Sequence, residues 1–149
     1  VGALGAALEQ ASRVGLNTRI VQEARRRHEG LQRKDKLLHE LAAASTSTNL
    51  QQLTQLLQQA DEIGLDSDAV RAAHRQRAGL QEAAELQAGL QQAIGRGDAA
   101  AVGELVARGK EAAVKTAELV QALDEGGKFL AQSEAQAVAA QAQQAAARA

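Results

Sequence analysis

The sequence predicts an all-α chain made of antiparallel helical hairpins of about 49 residues, stacked as a short solenoid or an elongated bundle. Three observations carry that prediction. The first is an internal repeat: Leu8, Ala11, Gly15, Leu16, Asn17 and Thr18 return as Leu57, Ala60, Gly64, Leu65, Asp66 and Ser67, each displaced by 49 positions. Val21, Ala24, Arg26, Leu31, Leu37 and Leu41 return in the same way as Val70, Ala73, Arg75, Leu80, Leu86 and Leu90. A unit of this length cannot bury its apolar face alone, so a repeat with such a period implies stacked supersecondary units. The second is the absence of Pro from a chain dominated by Ala, Leu, Gln, Glu, Lys and Arg, which removes the strongest helix breaker from good helix formers. The third is that Phe129 is the only aromatic residue. Rings bring the largest buried areas, so a core of Leu, Val, Ile and Ala is thin and spreads along helices.

The spacing of Leu4, Ala7, Leu8 and Ala11 predicts a first helix over residues 3–14. Gly15 is placed to stop it in the left-handed region, with Leu16 folding back on Ala11. Asn17 or Thr18 caps the next helix directly, so the two helices run antiparallel. The second helix is expected over 18–44 on the face of Val21, Ala24, His28, Leu31, Leu38 and Ala42. Residues 45–49, Ser-Thr-Ser-Thr-Asn, form the clearest loop.

The second unit repeats this plan. A short helix carries Leu50, Leu53, Leu56, Leu57, Ala60 and Ile63, Gly64 and Leu65 stop it, and a long helix over 68–94 opens at Asp66 or Ser67. A Gly-Arg-Gly-Asp turn at 95–98 closes the unit.

The third unit begins with Val102, Leu105 and Val106 in register, but Ala113 and Val114 stand where the offset places Gly-Leu. That loss favours one helix over 99–123, with an early turn at Gly109 as the alternative. Gly126 and Gly127 predict a break at 124–127, followed by an Ala/Gln-rich segment that is a marginal helix or a fraying tail. The expected organisation is therefore one hairpin at 1–48, a second at 49–97, a divergent third unit at 98–127 and a C-terminal helix or tail at 128–149.

The short helix with its Leu-x-x-Ala and Gly-Leu stop, carried here by Leu8, Ala11, Gly15, Leu16, Leu57, Ala60, Gly64 and Leu65, joins a long basic helix. With the Ile94–Asp98 junction, this unit resembles the helical-hairpin repeats of long multidomain proteins of green algae and other protists, including proteins of the ciliary axoneme. The resemblance implies a structural role, an intracellular cytoplasmic or cytoskeletal setting, and the cilium or flagellum in particular. It carries over no catalytic residue.

Composition narrows the function classes. A net charge of −1 and a pI of about 6.4 give no global attraction to nucleic acid or anionic membrane. With no Cys there is neither a disulfide framework nor thiol chemistry, which fits an intracellular compartment. No apolar run reaches the length of a membrane span, so the chain is expected to be soluble. It starts at Val1 and contains no Met, which suits a segment of a longer protein as well as a processed start.

Between Arg19 and Lys36 lie seven basic and three acidic residues. Within this segment Val21, Gln22, Arg26 and Arg27 resemble an incomplete IQ motif, the helix clasped by calmodulin or myosin light chains. Leu31 stands where the motif expects a further basic residue, and there is no aromatic anchor. A solvated basic helix face is the plainer reading. His28, His39 and His74 form no ligand pair at helical spacing, and the Glu-x-x-His pattern of di-iron bundles is missing, so no metal and no cofactor is expected. Gly95, Gly97, Gly126 and Gly127 follow no strand and precede no Lys-Ser/Thr, which makes them helix breaks and not phosphate cradles. The hydroxyls at 45–48 have no base in a catalytic motif and read as caps or phosphorylation sites.

The sequence therefore predicts a non-enzymatic scaffold that makes protein–protein contacts within a larger assembly. Arg25, Arg26, Arg27, Arg71 and Arg75 are its candidate contact residues. Alternatives are a regulatory helix over 21–36 that binds a calmodulin-like light chain, and a compact helical bundle with a ligand site. Nucleic acid is disfavoured because no aromatic is available for base stacking and Glu23, Glu29 and Asp35 interrupt the basic run.

Overall fold

A computed structural model describes residues 1–148. The chain is all-α, with six helices and no strand among the described residues. They are α1 (Gly2–Arg13), α2 (Arg19–Ala44), α3 (Leu50–Glu62), α4 (Asp68–Arg96), α5 (Ala99–Glu111) and α6 (Ala117–Arg148).

The capping side chains explain where the helices begin. Thr18, Ser67 and Thr116 stand 49 residues apart, and each hydroxyl accepts the backbone N–H three residues on, from Val21, Val70 and Leu119. Asn49 and Asp98 do the same for α3 and α5, accepting from Gln52 and Ala101 at 3.0 Å. Each such cap satisfies an orphan donor and contributes about 1 kcal/mol.

Gly15, Gly64 and Gly97 have φ of 69°, 62° and 71°. At each, the next residue's N–H reaches back to a carbonyl five residues earlier: Leu16 to Ala11, Leu65 to Ala60 and Asp98 to Ala93. That pattern is the glycine-terminated Schellman stop, and a side chain in this backbone region would be strained.

The third unit corrects two expectations. No single helix runs over 99–123: α5 ends at Glu111, Ala112 turns out in an extended conformation (ψ 135°), and Thr116 caps α6. Ala113 has no left-handed glycine to offer, so this corner is made by extended backbone instead. Nor does the chain break at 124–127, because α6 continues through both glycines to Arg148. Asp124 and Lys128, one turn apart, pair at 2.7 Å across the two glycines. The C-terminal Ala/Gln segment is helix up to Arg148.

By compactness the chain divides into Val1–His74 and a second unit from Arg75 on, so α4 starts in one and ends in the other. In the first unit α2 packs against both α1 and α3. Its core consists of Leu37, Leu41 and Ala44 on α2, Leu53, Leu56, Leu57 and Ala60 on α3, and Val70 and Ala73 at the start of α4. In the second unit α5 packs against α6, with Leu86, Leu90 and Ala93 of α4 joining Val102, Val106, Leu119 and Ala122 in one cluster. A Cβ on Gly126 would stand 2.8 Å from Val106 Cγ2 and 3.3 Å from Leu90 Cδ2, so α6 approaches α5 and α4 more closely than Ala would permit. The buried side chains of both cores are aliphatic, and no polar or charged residue is buried as a whole among the described residues.

Candidate protein-contact surface

The candidate basic residues lie within the first nine residues of α2 and α4, and the structure sorts them by what already holds them. Arg25 is half-buried and donates to Ser12 Oγ at 2.7 Å, while Ser12 Oγ donates to the carbonyl of Leu8 at 3.0 Å. This side chain ties α2 to α1 and is not a free contact. Arg71 donates to Asp66 Oδ1 at 2.8 Å and to Asp68 Oδ1 at 2.6 Å. The hydrogen bond to Asp68, followed by the charge of Asp66, holds its guanidinium above its ordinary pKa. Its charge is compensated at the head of its own helix, and all three groups remain solvated.

Arg26 and Arg27 are exposed, and with Leu4, Ile20, Glu23 and Ala24 they line an open surface groove of about 740 Å³. Arg19, Gln22, Glu23 and Arg26 border a second, smaller concavity beside it. Arg75 is exposed too and is the repeat equivalent of Arg26. Two positions in register thus keep an exposed guanidinium, while Arg25 and Arg71 serve their own chain. The Asp66 and Asp68 ties were legible as acidic residues in the cap and first turn ahead of Arg71. The apolar side of the groove was not legible, because it depends on how α1 lies on α2.

The IQ-like residues divide in the same way. Gln22, Arg26 and Arg27 are exposed, with Gln22 Nε2 donating to Asn17 Oδ1 at 3.1 Å. Val21, Ala24, Arg25 and His28 recur at steps of three and four and are all half-buried on the side of α2 that meets α1. His28 lies against Gly5 of α1, its Nδ1 buried without a hydrogen-bond partner. A light chain that clasps α2 from all sides therefore has to displace α1. No residue of α1 is buried.

The other candidates resolve into local structure. Ser45 and Thr46 donate to the carbonyls of Ala42 and Ala43 at the end of α2, and Ser47 Oγ accepts from the N–H of Asn49. His39 Nδ1 lies 3.1 Å from the carbonyl of Asp35. Gly97 forms a helix stop, and Gly126 and Gly127 lie inside α6. No group of three His, Cys, Asp or Glu side chains that could hold a metal ion occurs among the described residues. No helix among them is long and apolar enough to cross a membrane. Compared with protein-family models, with curated proteins and with solved structures, the chain has no match.

Proposed function

We propose that this chain is a structural helical-repeat segment whose 49-residue hairpins stack side by side, and that it holds other proteins within a larger assembly through exposed basic positions on its long helices. The observation that carries this reading is the hydroxyl cap that stands three times at a spacing of 49 residues, at Thr18, Ser67 and Thr116, with the glycine stop repeated at the same spacing at Gly15 and Gly64, around cores whose buried side chains are all aliphatic. Such a core contributes packing and presents no convergent polar groups of the kind a catalytic pocket needs. In this reading Arg26 and Arg27 accept an acidic surface of a neighbouring protein. The apolar floor at Leu4 and Ile20 supplies area, and Arg75 offers the same contact one repeat later. The axonemal setting implied by the resemblance belongs to the same proposal.

The test is affinity capture from an extract of ciliated cells on immobilised chain, comparing wild type with an Arg26→Glu/Arg27→Glu double variant of equal melting temperature. The scaffold reading expects a defined set of proteins retained by wild type and depleted at least several-fold by charge reversal. An identical set on both surfaces counts against the basic groove.

A second reading is favoured by the shallow seating of α1. Displacing that helix exposes Val21, Ala24 and His28 together with the basic face, which is the surface a calmodulin-like light chain would clasp. Titrating the whole chain with calmodulin, with and without calcium, decides this. Binding accompanied by loss of α1 amide protection supports it, and no binding at tens of micromolar removes it.

A further inference from the structure

Among the described residues, the buried side-chain nitrogen left without a hydrogen-bond partner is Nδ1 of His28. Buried polar atoms are normally paired, so an orphan of this kind calls for an explanation. The ring is held close against α1: a Cβ on Gly5 would stand 3.1 Å from its Cε1 and 3.3 Å from its Nε2. Gly5 belongs to the side of α1 that lies on α2, where Leu4, Leu8 and Ala11 are half-buried as well. His39 shows the contrasting arrangement. Its Nδ1 lies 3.1 Å from the carbonyl of Asp35, an acceptor ready for a proton on that nitrogen. His28 Nδ1 has none.

A neutral imidazole can carry its proton on Nε2 and leave Nδ1 bare, whereas an imidazolium carries a proton on both nitrogens. With α1 in place, protonation of His28 therefore buries a donor and part of a positive charge with nothing to accept it, which costs more than burying the bare nitrogen. The neighbouring charges act in the same direction. Within one turn on α2 stand Arg25, Arg26, Arg27 and Glu29, three cations against one anion, and within one turn of Gly5 on α1 stand the Val1 amino group and Glu9. Glu9 and Glu29 are exposed, so neither carboxylate shares the buried side of the ring. Arg25 is turned to Ser12 Oγ at 2.7 Å, which fixes its charge at the same α1–α2 seam.

We propose that His28 makes the α1–α2 contact a pH-sensitive latch: α1 stays docked while the ring is neutral and lifts off when the ring is protonated. The acceptors that an Nδ1 proton needs are water molecules, and they reach this nitrogen only once α1 has moved. Docking favours the neutral ring, so it is complete above the ordinary imidazole range, centred at about pH 6.5, and weakens as the pH falls through it. Acidification then bares Val21, Ala24 and His28 beside the exposed Arg26 and Arg27. The latch follows from this seam alone and holds for either partner of the basic face.

Amide hydrogen exchange of the whole chain at about pH 7 and about pH 5.5, each rate corrected for its intrinsic pH dependence, tests the latch. Between these values imidazole titrates, while the carboxylates of Glu9, Glu23 and Glu29 and the Val1 amino group keep their charge. Protection of α1 should fall several-fold at the lower pH relative to that of α3. His28→Leu, which cannot be protonated, should hold α1 protection level at both values, and His39→Gln should fall as the wild type does. Unchanged α3 protection and circular dichroism check that both variants are folded. In an NMR titration of the wild type, the ring signals of His28 and the amide signals of Gly5 and Leu8 should share one midpoint. Equal α1 protection at both pH values in the wild type, the same fall in His28→Leu, or α1 amides that follow the His39 ring instead would overturn the latch.

Discussion

Gly126 and Gly127 are neighbours in one helix with opposite tasks. A Cβ at Gly126 would press on Val106 and Leu90, whereas one at Gly127 would meet nothing within 4 Å. Gly127→Ala should therefore raise stability by about 0.5–1 kcal/mol through helix propensity alone. Gly126→Ala should lower it by about 1–3 kcal/mol because Val106 must shift in a packed core. Urea unfolding of both variants checks the pair, and equal effects at the two positions would contradict the continuous α6. In sequence the Gly-Gly pair read as a break, because a glycine that ends a helix and one that admits a neighbour look alike. Gly64 was legible for the converse reason: the Leu65 and the capping residues that follow it complete a stop motif made of local hydrogen bonds.

At the scale of the element, the short helices α1 and α3 were recognisable from the spacing of their apolar residues, and their burial was not. α1 and α3 share a register, yet Leu53 is fully buried and Leu4 is only half-covered. Leu53→Ala should cost about 2–5 kcal/mol, and Leu4→Ala well under half as much, since a site open to water leaves no cavity to penalise. Denaturant midpoints measured on the two variants test this contrast. Amides of α1 should exchange with solvent faster than those of α3 for the same reason. Thr116 marks the corner between α5 and α6 that the Gly-Leu rule passed over. Thr116→Ala removes the acceptor for the Leu119 N–H and should cost about 1 kcal/mol. An unchanged melting curve would argue that α5 runs on into α6. The signal was present in Thr18, Ser67 and Thr116 at one spacing, but weaker than the missing glycine because hydroxyl residues are common and Gly at a stop is conspicuous.

For the whole molecule, stability rests on two aliphatic cores, so Leu41→Ala in the first and Leu90→Ala in the second, both fully buried, should each cost about 2–5 kcal/mol. Urea unfolding of the two variants checks both values. The period, the helical class, the glycine stops at Gly15 and Gly64, and the caps at Thr18, Asn49 and Ser67 are chemistry between residues close in the chain, so they were legible without the tertiary structure. The sequence by itself also determined the candidate arginines as residue types. Tertiary structure alone decided which of these were free. Arg25 is bound to Ser12 across two helices, Arg26 and Arg27 border a groove floored by Leu4, and Gly126 admits Val106. Coverage and close approach depend on contacts between residues distant in the chain, and a local pattern repeats unchanged whether or not a neighbour covers it.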